Sequence, residues 1–119
     1  MFGRTPPPTW RVLPFVVTAL ASLAVLFTPA SGVPSGFPGS DKLVHLAVFA
    51  ALALTGRIAD LPRGALLTGL LAHAVGSEVL QGLLPLGRAA DPRDALADVV
   101  GIAAGWASAR LLSARFVHG

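Results

Sequence analysis

The sequence predicts an all-α protein, a bundle of four transmembrane helices with both chain termini in the cytoplasm. Three observations carry this. Of the 119 residues, 54% are hydrophobic and only 13% are charged, where an ordinary soluble domain has about 25% charged residues. The mean hydropathy of +0.72 is high for so small a chain, because a small soluble domain leaves too much surface in water to hide that many apolar side chains. Finally, the apolar residues fall into four runs of roughly the length needed to cross a hydrocarbon core of about 30 Å. Disorder is excluded, since it requires low hydrophobicity.

Residues 1–11 form a polar lead with Arg4 and the extended run Pro6-Pro7-Pro8. The first span covers 12–28, with Pro14 in its first turn, where proline is tolerated. A secretory leader with Arg4 and Arg11 as its basic end is the competing reading of this run, but the apolar stretch is long for one. Pro29 to Gly39 holds three prolines and three glycines and reads as a loop. Ser40 then suits an N-cap, with Asp41 in the first turn, where a carboxylate favours the helix dipole.

The second span covers 43–59 and the third 64–84, which Pro85 stops. The fourth covers 94–113, leaving 114–119 as a cytoplasmic tail. The second and fourth are near the lower length limit for a span. Residues 12–113 therefore make one membrane domain.

Orientation follows from the basic residues. Arg4, Arg11, Arg57, Arg63, Arg110 and Arg115 lie on the side of the termini, against Lys42, Arg88 and Arg93 on the other. The positive-inside rule places the termini in the cytoplasm of a multi-pass cell-membrane protein. These cations are scattered singly instead of forming a stripe, so nucleic acid is not an expected partner despite a pI near 11.2. With no cysteine, thiolate chemistry and Cys-based metal sites are excluded. There is no two-histidine motif and no phosphate-binding glycine loop, so no metal and no cofactor are expected.

Charges within spans are costly and call for a reason. At about 100° per residue, Asp41 and His45 share a face of the second helix, and His73, Ser77, Glu78 and Gln81 an arc of the third. Asp94, Asp98, Gly101, Gly105 and Ser108 line one face of the fourth. Gly101 and Gly105, four apart, let two helix backbones approach closely. The candidate binding set is Asp41, Lys42, His45, Glu78, Gln81, Arg88, Asp94 and Asp98, with Arg93 beside it, all toward the outer membrane face. Glu78, Asp98 and His45 are the candidates for acid–base work. Each also has a plainer role as a cap, an ion pair or an interhelical hydrogen bond. His73 with Ser77 reads as packing polarity, and Trp10 and Trp106 as interfacial anchors.

The ordered set Asp41-Lys42-x-x-His45-x-x-x-Phe49, Glu78-x-x-Gln81, Arg88, Asp91, Asp94, position 98 and Gly101 with Gly105 resembles the VanZ-like family of small bacterial membrane proteins. The resemblance covers about Asp41 to Gly105. It implies an integral membrane protein of the cell envelope, in a family named for low-level resistance to the glycopeptide teicoplanin. It also points to Asp41, Lys42, His45, Glu78, Gln81, Arg88 and Asp94 as the positions that matter.

One position departs from the pattern, with Asp98 where the family usually has asparagine. An aspartate reproduces both the donor and the acceptor of an amide only when protonated, and that is the form expected here. The expected function is an outward-facing polar pocket that binds or acts on a cell-wall precursor, a lipid headgroup or a glycopeptide. A membrane-embedded enzyme processing an envelope lipid or lipid-linked phosphate is the alternative. In it Arg88 and Arg93 would clamp phosphate, and His45 with carboxylates would hold a divalent metal. A structural helper subunit is the third reading. Asp98→Asn is expected to preserve function at matched expression, and its complete loss in a well-expressed variant would contradict the protonated form.

Overall fold

The computed structural model describes residues 9–27, 40–85 and 92–118, with side chains at 10–27, 42–85 and 92–112. These residues are all-helical, with no strand among them. A 3-10 turn at Thr9–Val12 leads into α1 (Leu13–Leu26), followed by α2 (Ser40–Ile58), α3 (Arg63–Leu83) and α4 (Pro92–His118). The expected elements all form, with shifted ends. Helical structure starts at Thr9, inside the expected polar lead, and α4 runs on to His118 through the expected tail. Ser40, expected as a cap, is the first residue of α2.

Local chemistry accounts for the ends. Pro14 occupies the first turn of α1, where its missing N–H costs nothing. At the end of α2, Asp60 takes the left-handed conformation with φ 60. Its N–H bonds to Arg57 O at 3.0 Å, and Leu61 N–H bonds to Gly56 O at 3.1 Å. This is the paired closure of a Schellman motif, with aspartate in the place glycine usually takes. Leu84 is extended at φ −82, ψ 152, as the residue before a proline prefers, so Pro85 ends α3 as expected.

At 1.5 Å per residue, the 19 residues of α2 and 21 of α3 reach about 28 and 31 Å. By length and composition, Arg63–Leu83 and Pro92–Leu112 are candidate membrane spans, and Trp10–Leu26 is a shorter apolar helix. α2 has the length, but it carries three charged side chains, Asp41, Lys42 and Arg57. Among the described residues there are four α-helices, and two of them are long and apolar enough to cross a membrane.

The closest helix pairing is α2 with α4, and its cause is sequence-encoded. A methyl group on Gly101 would overlap the backbone carbonyl of Leu46, and one on Gly105 that of Ala50. The two backbones touch where the glycines lie. The buried stripe of α4 is Asp94, Asp98, Gly101, Gly105 and Ala109. Ser108, expected on this face, is exposed and donates to Ala104 O of its own helix at 2.8 Å. The last step of the stripe is four residues instead of three, as a straight helix with 3.6 residues per turn requires to hold its face.

Around this pair the core gathers Phe49, Leu52 and Ala53 of α2, Leu66, Leu70 and Ala74 of α3, Leu26 of α1 and Ile102 of α4. The outside is more apolar than the inside. Leu20, Leu83, Leu96 and Leu111 are each more than 60% exposed, while Ser22, His45, Ser77, Glu78, Gln81, Asp94 and Asp98 are buried.

The glycine contacts predict a graded response. Gly101→Ala or Gly105→Ala meets immovable backbone and should destabilise the purified chain in detergent by about 1–3 kcal/mol, the usual cost of overpacking. Gly76 has nothing within 4 Å of an added Cβ, so Gly76→Ala should be neutral or stabilising by up to about 1 kcal/mol. Denaturant unfolding of the three variants checks the order.

Candidate functional site

The helices alternate in direction, so one end of the bundle collects the C-terminal end of α1 and α3 and the N-terminal end of α2 and α4. Most of the predicted site residues meet there. His45 reaches from α2 to α4, its Nδ1 lying 2.7 Å from Asp98 Oδ1, with the ring 1% and the carboxyl group 0% exposed; an oxygen of an ionised Asp98 accepts the Nδ1–H. On its other side, His45 Nε2 faces Asp94 Oδ2 at 3.8 Å, beyond hydrogen-bond range. Lys42 Nζ donates to the second oxygen of that carboxylate, Asp94 Oδ1, at 3.1 Å. Glu78 enters from α3, and one donor atom from each of His45, Glu78 and Asp94 lies within 4.8 Å of the other two.

Two polar atoms at the centre of this cluster, His45 Nε2 and Asp98 Oδ2, are buried and make no hydrogen bond among the described residues. Buried polar atoms in that condition are rare and call for an explanation. A single buried layer therefore holds one imidazole, three carboxylates and, at its edge, one ammonium. Such a set can bind a cation, or can accept and release a proton at the imidazole.

The other predicted residues divide between this layer and the scaffold around it. Gln81 is buried, but its Nε2 donates to Leu26 O at the end of α1. It satisfies a carbonyl the helix terminus leaves open, and it ties α3 to α1. The side chain of Asp41 and all of Arg88 and Asp91 lie outside the described residues. Arg93 is exposed near the start of α4. His73 and Ser77 do not form a pair. Ser77 Oγ donates to Ala74 O at 3.2 Å, and His73 Nε2 lies 3.2 Å from Ser22 Oγ on α1. The Ser22 hydroxyl donates to Ala19 O at 2.7 Å, so it accepts from the His73 N–H. His73 also tilts against Phe49, with ring centroids 5.2 Å apart. Both residues are packing polarity, as expected.

Trp10 is 67% exposed, which suits an anchor, whereas Trp106 lies beneath the Arg57 guanidinium at 5.1 Å and joins α4 to α2. An apolar cavity of about 440 Å³ opens between α1 and α3, lined by Phe15, Ala19, Leu52, Leu66 and Leu70. It lies toward the opposite end of the bundle and includes none of the carboxylates.

Sequence reasoning placed a metal on His45 with carboxylates only in the enzyme alternative, and it did not single out Glu78 and Asp94 as the carboxylates that converge with it. No local motif signals that convergence, because each ligand comes from a different helix. The only hint available was that all three fall in the outer thirds of their helices. Comparison with known protein families, characterised proteins and solved structures finds no match to this chain.

The pair at the centre gives a direct test. Asp98→Ala leaves the His45 Nδ1–H buried without an acceptor and should cost about 1–3 kcal/mol in unfolding free energy. Asp98→Asn keeps an acceptor oxygen on the same branch and should recover most of that loss.

Proposed function

We propose that this chain is a polytopic cell-membrane protein of VanZ-like type whose buried polar layer binds, or acts on, the polar part of a cell-envelope component. The observation that carries the membrane assignment is the inverted polarity of the bundle. In α1 the two buried residues are Ser22 and Leu26, while Val17, Leu20 and Leu23 are 62%, 64% and 47% exposed. A lipid environment accommodates that distribution and water does not, since contiguous apolar surface on a soluble monomer is limited to a few hundred Å².

In this reading all four helices cross the bilayer, and α2 does so because its charged residues turn toward α4 or lie at its ends. Its outer end holds Lys42 and His45, and its inner end Arg57. The termini are cytoplasmic, and the polar layer opens outward. Ionisable side chains inside a membrane bundle mark function more often than packing. The association of Lys42, His45, Glu78, Asp94 and Asp98 in one layer supports a binding pocket. Contribution to glycopeptide resistance is the expected phenotype. The clustering of His45, Glu78 and Asp94 also favours a second reading, a membrane-embedded enzyme processing an envelope lipid or lipid-linked phosphate.

Two measurements on intact cells test this. The chain has no native cysteine, so single replacements report sidedness. Ser40→Cys or Ala90→Cys should react with an impermeant thiol reagent and Arg63→Cys should not, and reversed labelling contradicts an outward pocket. Wild type is then compared with Glu78→Ala and Arg88→Ala at matched expression, for glycopeptide susceptibility and for lipid-linked precursors. Resistance lost without any chemical change supports binding, and a lipid species that disappears with Glu78→Ala supports the enzyme. No difference in either readout contradicts both and leaves a structural helper.

A further inference from the structure

We infer that the polar layer is a divalent-cation site, with His45 Nε2, a carboxylate oxygen of Glu78 and Asp94 Oδ2 as ligands and one position open. It deepens the pocket reading above, on which it rests for treating the cluster as a binding site. The ion itself is argued from the donor geometry.

The donor set comes first. One imidazole nitrogen and two carboxylates suit zinc, and three protein ligands with an open fourth position are the pattern of catalytic zinc sites. At bond lengths of about 2.0–2.2 Å, tetrahedral ligand atoms lie about 3.4 Å apart. His45 Nε2 and Asp94 Oδ2 are 3.8 Å apart, and the three donors lie within 4.8 Å of one another. An ion bound among them would draw the donors together toward that spacing.

His45 Nε2 is the second, independent observation. The residue is 1% exposed, and this nitrogen makes no hydrogen bond among the described residues. It faces Asp94 Oδ2 at 3.8 Å, too far to donate to it. A metal ion between them supplies the missing partner. The outer contacts also match a metal site. A ligating histidine characteristically donates its other N–H to a carboxylate, which fixes the ring and leaves the far nitrogen free to coordinate. Here Asp98 takes the Nδ1–H at 2.7 Å. Asp94 has the same division of labour, with Lys42 on Oδ1 and Oδ2 turned to the site. Two of the three ligands are thus held in place from behind.

On this assignment Asp98→Asn should leave the His45 ring in place. The role is to accept the Nδ1–H, and either side chain offers an oxygen for it. A bound ion with an open position would recruit an anionic oxygen, as on a phosphate or carboxylate headgroup.

The test uses the full chain without an affinity tag, purified in detergent and stripped with a chelator. Zn²⁺ is titrated and quantified by elemental analysis, with Co²⁺ as a visible-absorption probe of coordination. One ion per chain is expected, with a cobalt spectrum of low coordination number. His45→Ala and the isosteric Glu78→Gln should abolish stoichiometric binding, His73→Ala should leave it intact, and Asp98→Ala should weaken it by about 10–100-fold. Helical circular dichroism separates lost ligation from lost folding.

Absence of stoichiometric binding by the wild-type chain overturns the inference. So does binding that persists in folded His45→Ala and Glu78→Gln. A chain that binds no ion but whose Glu78→Ala variant loses the envelope phenotype overturns the cation and leaves the pocket reading in place. One ion bound without an envelope phenotype supports the cation and overturns the envelope reading.

Discussion

The contact of two α4 glycines with the carbonyls of Leu46 and Ala50 on α2 is the constraint on which the rest of this molecule depends. Side chains keep packed helices about 8–10 Å apart, and their removal at Gly101 and Gly105 allows the two backbones to touch. Toward the N-terminal ends of α2 and α4, the same faces carry His45 and Asp98. Their short side chains meet at 2.7 Å because the glycines have already drawn the helices together. The close approach and the polar site are a single feature of the helix pair, since Asp94, Asp98, Gly101 and Gly105 form one stripe.

The other helices complete what this pair begins. α3 brings Glu78 to the edge of the layer, and Gln81 ties α3 to the end of α1. α1 contributes a mostly apolar outer face and one buried hydroxyl, Ser22, which engages His73. Burying so many polar groups is expensive unless each finds a partner, and nearly all do. Ser22, Ser77 and Gln81 satisfy backbone carbonyls, and Lys42 pairs with Asp94. Among the buried atoms that break this pattern are His45 Nε2 and Asp98 Oδ2, both in the polar layer. Their position distinguishes the layer from ordinary interhelical packing.

Much of the fold was legible because it rests on local signals. Proline placement, helix periodicity and the breaks at 29–39, 57–63 and 85–93 define four helices in the sequence, and four helices form among the described residues. The buried face of α4 could be read through Gly105 from spacing alone. It was misread at Ser108 because a mixed pattern of threes and fours cannot say which step comes next. The site was half legible. Helix phase showed which residues share a face, but whether His45 turns to Asp98, to Asp94 or to Glu78 depends on the distance between helices, which no single helix encodes. Gln81 illustrates the same limit, since its place beside Glu78 suggested the pocket and its partner proved to be a backbone carbonyl on α1.

The ring of His45 is where these features can be observed together, by nitrogen and proton NMR of the chain labelled at histidine in lipid or detergent. A hydrogen-bonded Nδ1 proton, far downfield and slow to exchange with water, is expected in the wild type. Asp98→Ala should abolish it, and Gly101→Ala, which pushes α4 away from α2, should weaken it. A His45 ring that exchanges freely with solvent, or a signal indifferent to both substitutions, would contradict the pairing on which the site is built.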